Sequence, residues 1–132
     1  MSPNSILSKT CADLLSNISL SDNAKISVIT GNAVGFSYSA LASKAIGFDY
    51  TLALVDAYVS PLNADTAIEV LAEEDIKKAA DPVKAREALQ KAYVTDAANP
   101  YVTAKEGFID NVIEPAVIRP YIISILNILM GY

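Results

Sequence analysis

The sequence predicts an α/β domain. Apolar, β-branched runs of strand length alternate with segments whose apolar residues recur every three or four positions, the two periodicities that separate strand from helix. Cap and turn residues stand between them, as Gly47, Asn63, Asp81-Pro82 and Asn99-Pro100 do. Apolar residues fill 52% of the 132 positions and charged residues only 19%, enough for a real core in one domain spanning 1–132. That balance is also more apolar than a solvated monomer of this length needs, so a buried interface is expected. Only three or four short strands are visible, and the sheet is expected to be incomplete.

The first helix is predicted from an entry at Ser2-Pro3-Asn4 to about residue 17, with Ile6, Leu7, Cys11, Leu14, Leu15 and Ile18 repeating along it. Cys11 at that spacing is expected in the core. A polar connector over 21–23 leads into Lys25-Ile26-Ser27-Val28-Ile29-Thr30, an alternating run that reads as a strand. Gly31 and Asn32 mark a turn, and Gly35 precedes a small-residue helix over 37–45 that Gly47 stops. The run 48–55 is apolar enough for a strand covered on both faces, and 57–60 reads as a second short one.

Asn63 caps a helix through Ala67, Ile68, Val70 and Leu71. Glu73, Glu74 and Asp75 ahead of Lys77 and Lys78 read as a solvated helix end in preference to a catalytic acid pair. Asp81 and Pro82 open a helix over 83–95, with Ala85, Leu89, Ala92 and Tyr93 inward and Arg86, Glu87, Gln90 and Lys91 outward. A helical turn runs from Asn99 to Gly107, and 108–113 is a short strand or extended crossover. Glu114-Pro115 opens a last helix over 116–130, in which Ile118, Tyr121, Ile122, Ile125, Leu126, Ile128 and Leu129 leave little polar face. Each buried Ile or Leu is worth roughly 1.5–3 kcal/mol, so a bare helix of this kind is unfavourable and a protein partner is expected.

Composition excludes several classes of function. The net charge is −5 and the ten Lys and Arg are scattered, which argues against nucleic acid as a partner. The chain has no histidine, so a general base has to be carboxylate, lysine, tyrosine or backbone-assisted water, and with one cysteine no zinc site is expected. The single Cys11 excludes an internal disulfide and fits a reducing cytoplasm. The N-terminus lacks the pattern of a signal peptide, and Arg119, Pro120, Ser124 and Asn127 interrupt the longest apolar run, so no membrane span is expected.

The stretch with chemical content is 25–49, a strand, a glycine bend and a helix. A glycine at such a corner lets backbone N–H groups point outward unhindered, where they can hold negative charge developing on a substrate oxygen. The competing reading is a strand–turn–helix whose glycine serves only packing.

Two segments carry a resemblance. The first is Asn99-Pro100-Tyr101-Val102, then Gly107-Phe108-Ile109-Asp110, then Val112-Ile113-Glu114-Pro115 and Arg119. The second is Ala33-Val34-Gly35-Phe36-Ser37-Tyr38 followed by Ser43-Lys44-Ala45-Ile46-Gly47-Phe48-Asp49. They resemble the carboxyltransferase family of biotin-dependent acyl-CoA carboxylases and decarboxylases, which has the crotonase-like fold. That family ends with N-P-Y, a glycine-aromatic-isoleucine-aspartate step, V-I-[DE]-P and an arginine, and it carries A-Y-G-G-A-Y ahead of a helix ending S-K-x-L-G-A-D. The resemblance covers nearly the whole chain and is to the C-terminal half of the domain, with a helical C-terminal extension.

The resemblance implies that the chain is a subunit or fragment of such an enzyme, not active alone. Its partners would be a CoA-binding carboxyltransferase half or other protomers, with a homo-oligomer expected, and a biotin carrier protein. Carboxybiotin would arrive on that carrier, with no biotin attached here, and acyl-CoA would be the other substrate. Carried over residue by residue, the backbone amides of Phe36 and Ser37 after Gly35 would be the biotin-side oxyanion hole, with Tyr38 lining it. No metal is implied. The chain departs from the family in two places. Phe36 stands where the family has its second glycine, and the segment Ala53 to Ala67 lacks the family's Trp, Pro and both glycines, with Asn63 and Thr66 at the glycine positions. Those departures motivate the alternative, a non-catalytic crotonase-like structural or assembly protein that has lost the donor site. Lys44 and Arg119 are expected to form ion pairs, with a CoA phosphate as a second option for Arg119. Tyr93 and Tyr101, like Tyr38, are expected as core and interface rings.

Overall fold

The computed structural model describes residues 3–41 and 43–131; Ser2 of the expected helix entry lies outside them. Helix α1, Pro3–Leu20, runs about one turn beyond its expected end, and Ser21 N–H closes it on the Ile18 carbonyl at 3.3 Å. Strand β1, Ile26–Ile29, follows, and then β2, Asn32–Val34. The turn expected at Gly31-Asn32 is therefore corrected: Asn32 opens a strand. Its partner overrides the local turn preference, because Tyr58 N–H donates to the Gly31 carbonyl at 3.1 Å and starts a parallel ladder.

Helix α2, Phe36–Leu41, is shorter than the expected 37–45. Ser43 supplies the reason: its side chain accepts the Ala45 N–H at 3.1 Å and starts a separate 3-10 turn, Lys44–Ile46, which Gly47 ends with φ +94°. Strands β3, Tyr50–Leu54, and β4, Tyr58–Ser60, come next. Helices α3, Ala64–Leu71, α4, Glu73–Lys78, and α5, Pro82–Asp96, form a helical excursion, followed by α6, Pro100–Lys105. Strand β5, Asn111–Ile113, leads through a 3-10 turn, Pro115–Val117, into α7, Ile118–Met130.

The strands make two parallel sheets. One has the order β1-β3-β5, with Ile26 opposite Tyr50 and Leu52 opposite Asn111; the other pairs β2 with β4, Asn32 opposite Tyr58. Central β3 is buried from Thr51 through Leu54, which is why its sequence is a continuous apolar run without alternation. Its two faces feed two cores. Ala53 joins Ile29, Ala33, Ala57, Val59 and Ile109, with Tyr38 and Ala104 packed against them. Leu52 and Leu54 point the other way, to Ile113 and Ile125 of α7.

The two side-chain caps expected from sequence, at Asn63 and Asp81, form, and Asn99 supplies a third at the start of the expected helical turn. Asn63 Oδ1 accepts the Thr66 N–H at 2.8 Å, Asp81 Oδ1 that of Lys84 at 3.2 Å and Asn99 Oδ1 that of Val102 at 3.0 Å. The facing of α5 is partly corrected. Arg86 Nη1 reaches Glu69 Oε1 at 3.2 Å and Gln90 bonds Asp65, so both turn toward α3, while Ala92 is exposed. Cys11 is also corrected. It is half-buried: α1 lies chiefly against α2 and the 3-10 turn after it, and Ile6 and Leu7 stay exposed.

The apolar last helix is present and one-sided. Ile125 is buried at 3% exposure whereas Ile128 is 72% exposed. Pro120 falls in the first turn of α7, where its missing N–H has no intrahelical role.

Candidate functional site at the Gly35 corner

Gly35 stands at the corner between β2 and α2, with φ +56°. Its N–H donates to the Ser60 carbonyl of β4 at 3.0 Å, and its own carbonyl accepts the Ser39 N–H at 3.0 Å and the Ser39 hydroxyl at 3.2 Å. A Cβ here would meet the Pro61 carbonyl oxygen at 3.4 Å. The positive φ therefore selects glycine, whereas the space would admit a Cβ at near-ordinary contact.

The next two N–H groups, of Phe36 and Ser37, open α2 and have no intrahelical acceptor. Neither makes a hydrogen bond among the described residues. The two amides are thus available to an oxygen from outside the chain. The Phe36 ring is 48% exposed, so it leans into solvent beside these amides and leaves the core to Tyr38 and Ala40.

Tyr38 turns inward and packs on the core between the two sheets. Its hydroxyl is buried with no hydrogen-bond partner among the described residues, and burial raises its pKa above 10.0. The ring lines a cavity of about 270 Å³ with Val59, Ser60, Pro61, Val102 and Phe108. Ser60, 2% exposed, is held by the Tyr93 hydroxyl at 2.6 Å. Neither Ser60 nor the cavity has a signal in the sequence, because both depend on β4 coming beside β2 and on α6 closing over them.

Other expected residues sort differently. Lys44 Nζ pairs with Asp110, as expected of an ion-pair former, whereas Arg119 is exposed and makes no salt bridge among the described residues. Glu73 and Glu74 pair with Lys77 at 2.5 Å and Lys78 at 3.0 Å on an open helix face, and Lys77 holds the Glu73 carboxyl below its usual range. That is the solvated helix end. Tyr93 is a partly buried ring, and Tyr101 is 59% exposed. At the two positions where the family has glycines, Asn63 caps α3 through the Thr66 N–H, so side-chain capping occupies a backbone donor there.

Comparison with known proteins settles the lineage. Residues 4–131 match the family described as the carboxyl transferase domain. The chain belongs to the carboxyl transferase domain family. It is 36% identical over 107 residues to the methylmalonyl-CoA decarboxylase subunit alpha of Propionigenium modestum, covering 81% of this chain and 21% of that protein. It is 37% identical over 109 residues to the biotin-dependent acetyl-/propionyl-coenzyme A carboxylase beta5 subunit of Mycobacterium tuberculosis, covering 80% of this chain and 20% of the relative. The chain therefore spans about a fifth of the length of these curated relatives.

Among solved structures, a transcarboxylase 12S hexamer with methylmalonyl-coenzyme A and methylmalonic acid bound superposes with TM-score 0.86 at 32% identity, over 92% of this chain and 23% of that one. The carboxyltransferase, crotonase-like fold expected from the two motif segments is thus the fold observed, in part of its full extent. Among the described residues no helix is long and apolar enough to cross a membrane.

Proposed function

We propose that this chain forms the carboxybiotin-facing part of a biotin-dependent acyl-CoA carboxyltransferase or decarboxylase. The observation that carries the reading is the Gly35 corner, where the Phe36 and Ser37 N–H groups have no acceptor among the described residues. Carboxybiotin, delivered on a separate carrier protein, supplies the activated carboxyl group. The chain's own part is electrostatic. Two fixed amides donate to a ligand oxygen that gains negative charge, and a donor of this kind is worth about 100- to 1000-fold in rate. No proton need move at these atoms, which suits a sequence without histidine. Tyr38 and the cavity behind it set the wall against which the ligand rests.

Acyl-CoA is held by a CoA-binding carboxyltransferase part outside the described residues, and other protomers cover the exposed residues of α1 and α7. The exposure of Ile6, Leu7, Ile128 and Met130 supports a protein partner there. A cytoplasmic location fits the single unpaired Cys11. The test combines the chain with the CoA-binding part and a carboxylated carrier and follows acyl-CoA-dependent loss of label from the carrier. Turnover is expected. No turnover above blank, with complex formation confirmed by light scattering, rejects the reading and leaves the assembly role.

A further inference from the structure

Helix α2 has six residues and only Ala40 is fully buried, so packing alone holds it weakly. Hydrogen bonds at both ends make up the difference, and they come from different sheets. At the first end, the Gly35 N–H is tied to the Ser60 carbonyl of β4 at 3.0 Å. At the far end, the Ser27 hydroxyl of β1 donates to the Leu41 carbonyl at 2.7 Å, one of the carbonyls that a helix leaves without an internal partner. Between the two anchors, Ser27, Ile29, Ala33, Ser37 and Leu41 line an open groove of about 280 Å³ between β1 and α2.

We infer that Ser27 is a positioning residue: its bond to Leu41 fixes the tilt of α2 and so the direction in which the Phe36 and Ser37 amides point. As to its catalytic consequence, the inference rests on the function proposed above. Its structural half does not. A helix pinned at both ends across a gap cannot swing. Released at Leu41, it pivots about Gly35, whose positive φ already makes it the bend.

The deciding experiment is amide hydrogen exchange by NMR on the full chain, wild type against Ser27→Ala and Ser27→Thr. Loss of one hydrogen bond predicts about three- to tenfold faster exchange at Ser39 to Leu41, with shifted Phe36 and Ser37 amide resonances, in Ser27→Ala. Exchange at Leu52 to Leu54 is expected to stay unchanged, and Ser27→Thr, which keeps the hydroxyl on a strand-favouring side chain, is expected to restore the wild-type pattern. Unchanged α2 exchange in Ser27→Ala, acceleration spread equally over β3, or failure of Ser27→Thr to rescue overturns the inference. In the assembled enzyme, kcat falls in Ser27→Ala while the acyl-CoA KM holds. Inactive wild-type enzyme counts against the proposed function alone, since the exchange pattern still decides the role of Ser27.

Discussion

Asp110 and Thr51 hold each other through backbone and side chain at once. The Asp110 N–H donates to the Thr51 carbonyl at 2.8 Å, and the Thr51 N–H donates to Asp110 Oδ2 at 2.9 Å. The other carboxylate oxygen takes Lys44, so one aspartate ties the start of β3, the approach to β5 and the 3-10 turn after α2. Two motif residues that lie 66 positions apart in sequence therefore meet, and their role is to brace the frame around the corner.

Asp110→Ala removes the acceptor of a donor on fully buried Thr51 and is expected to lower unfolding free energy by about 2 kcal/mol. Lys44→Ala leaves that bond intact. Its ammonium side chain is 40% exposed, so the loss is expected to stay below about 1 kcal/mol. Urea unfolding of the two variants checks the order. A larger loss from Lys44→Ala would assign the brace to the ion pair.

The two glycines near the bend make opposite predictions. Gly35→Ala forces a Cβ residue into φ +56° and toward the Pro61 oxygen, for an expected loss of about 1–2 kcal/mol. Gly31 has no positive φ and nothing within 4 Å of an added Cβ, so Gly31→Ala is expected within about 0.5 kcal/mol of wild type. Paired thermal melts distinguish them, and equal losses would remove the argument that conformation selects Gly35.

These residues also divide what the sequence discloses from what it hides. Asn63, Asp81 and Asn99 are legible as caps because donor and acceptor lie three residues apart. The corner at Gly35 is legible because a glycine falls between a strand pattern and a helix pattern. Strand β2 is not, since Asn32–Val34 has turn chemistry of its own and becomes a strand only by lying beside Tyr58–Ser60. The Ser27 bond to Leu41 spans 14 residues with no local signature. The periodicity of α1 and α7 shows that each has an apolar face. It cannot show how much of that face the chain itself covers, and Cys11 is therefore shallower than its spacing alone implies.

Tyr38 offers a test of the buried wall. Its hydroxyl is buried with no partner among the described residues, so Tyr38→Phe removes a polar group that folding desolvates for no return and is expected to leave stability unchanged or raise it by about 1 kcal/mol. The titration sign follows from burial. The folded pKa lies above 10.0, so the folded state holds its proton more tightly than the unfolded chain; the stabilising effect is complete below pH 10 and is lost as pH rises from there through the folded pKa. Part of the alkaline loss of stability is therefore expected to disappear in Tyr38→Phe. Identical melting profiles against pH for the two proteins would show that Tyr38 titrates as an exposed phenol.

Phe36 is one of the two places where this sequence departs from the pattern of the family it resembles, and its surroundings show what the difference does. Positive φ among the described residues is confined to glycines, so the Phe36 backbone is ordinary and a glycine there is not needed for conformation. What glycine would change is space, because the ring stands half-exposed next to the amide pair. Phe36→Gly is expected to clear the approach and tighten binding of a biotin ester at least several-fold, at a cost of no more than about 1 kcal/mol in helix propensity. Phe36→Leu, which keeps bulk without the ring, is expected to bind as wild type does. Ser37 amide shifts during a biotin-ester titration read the difference directly. Equal binding in all three proteins would mean that the ring does not obstruct the amides, and that the substitution at this corner is neutral for the donor.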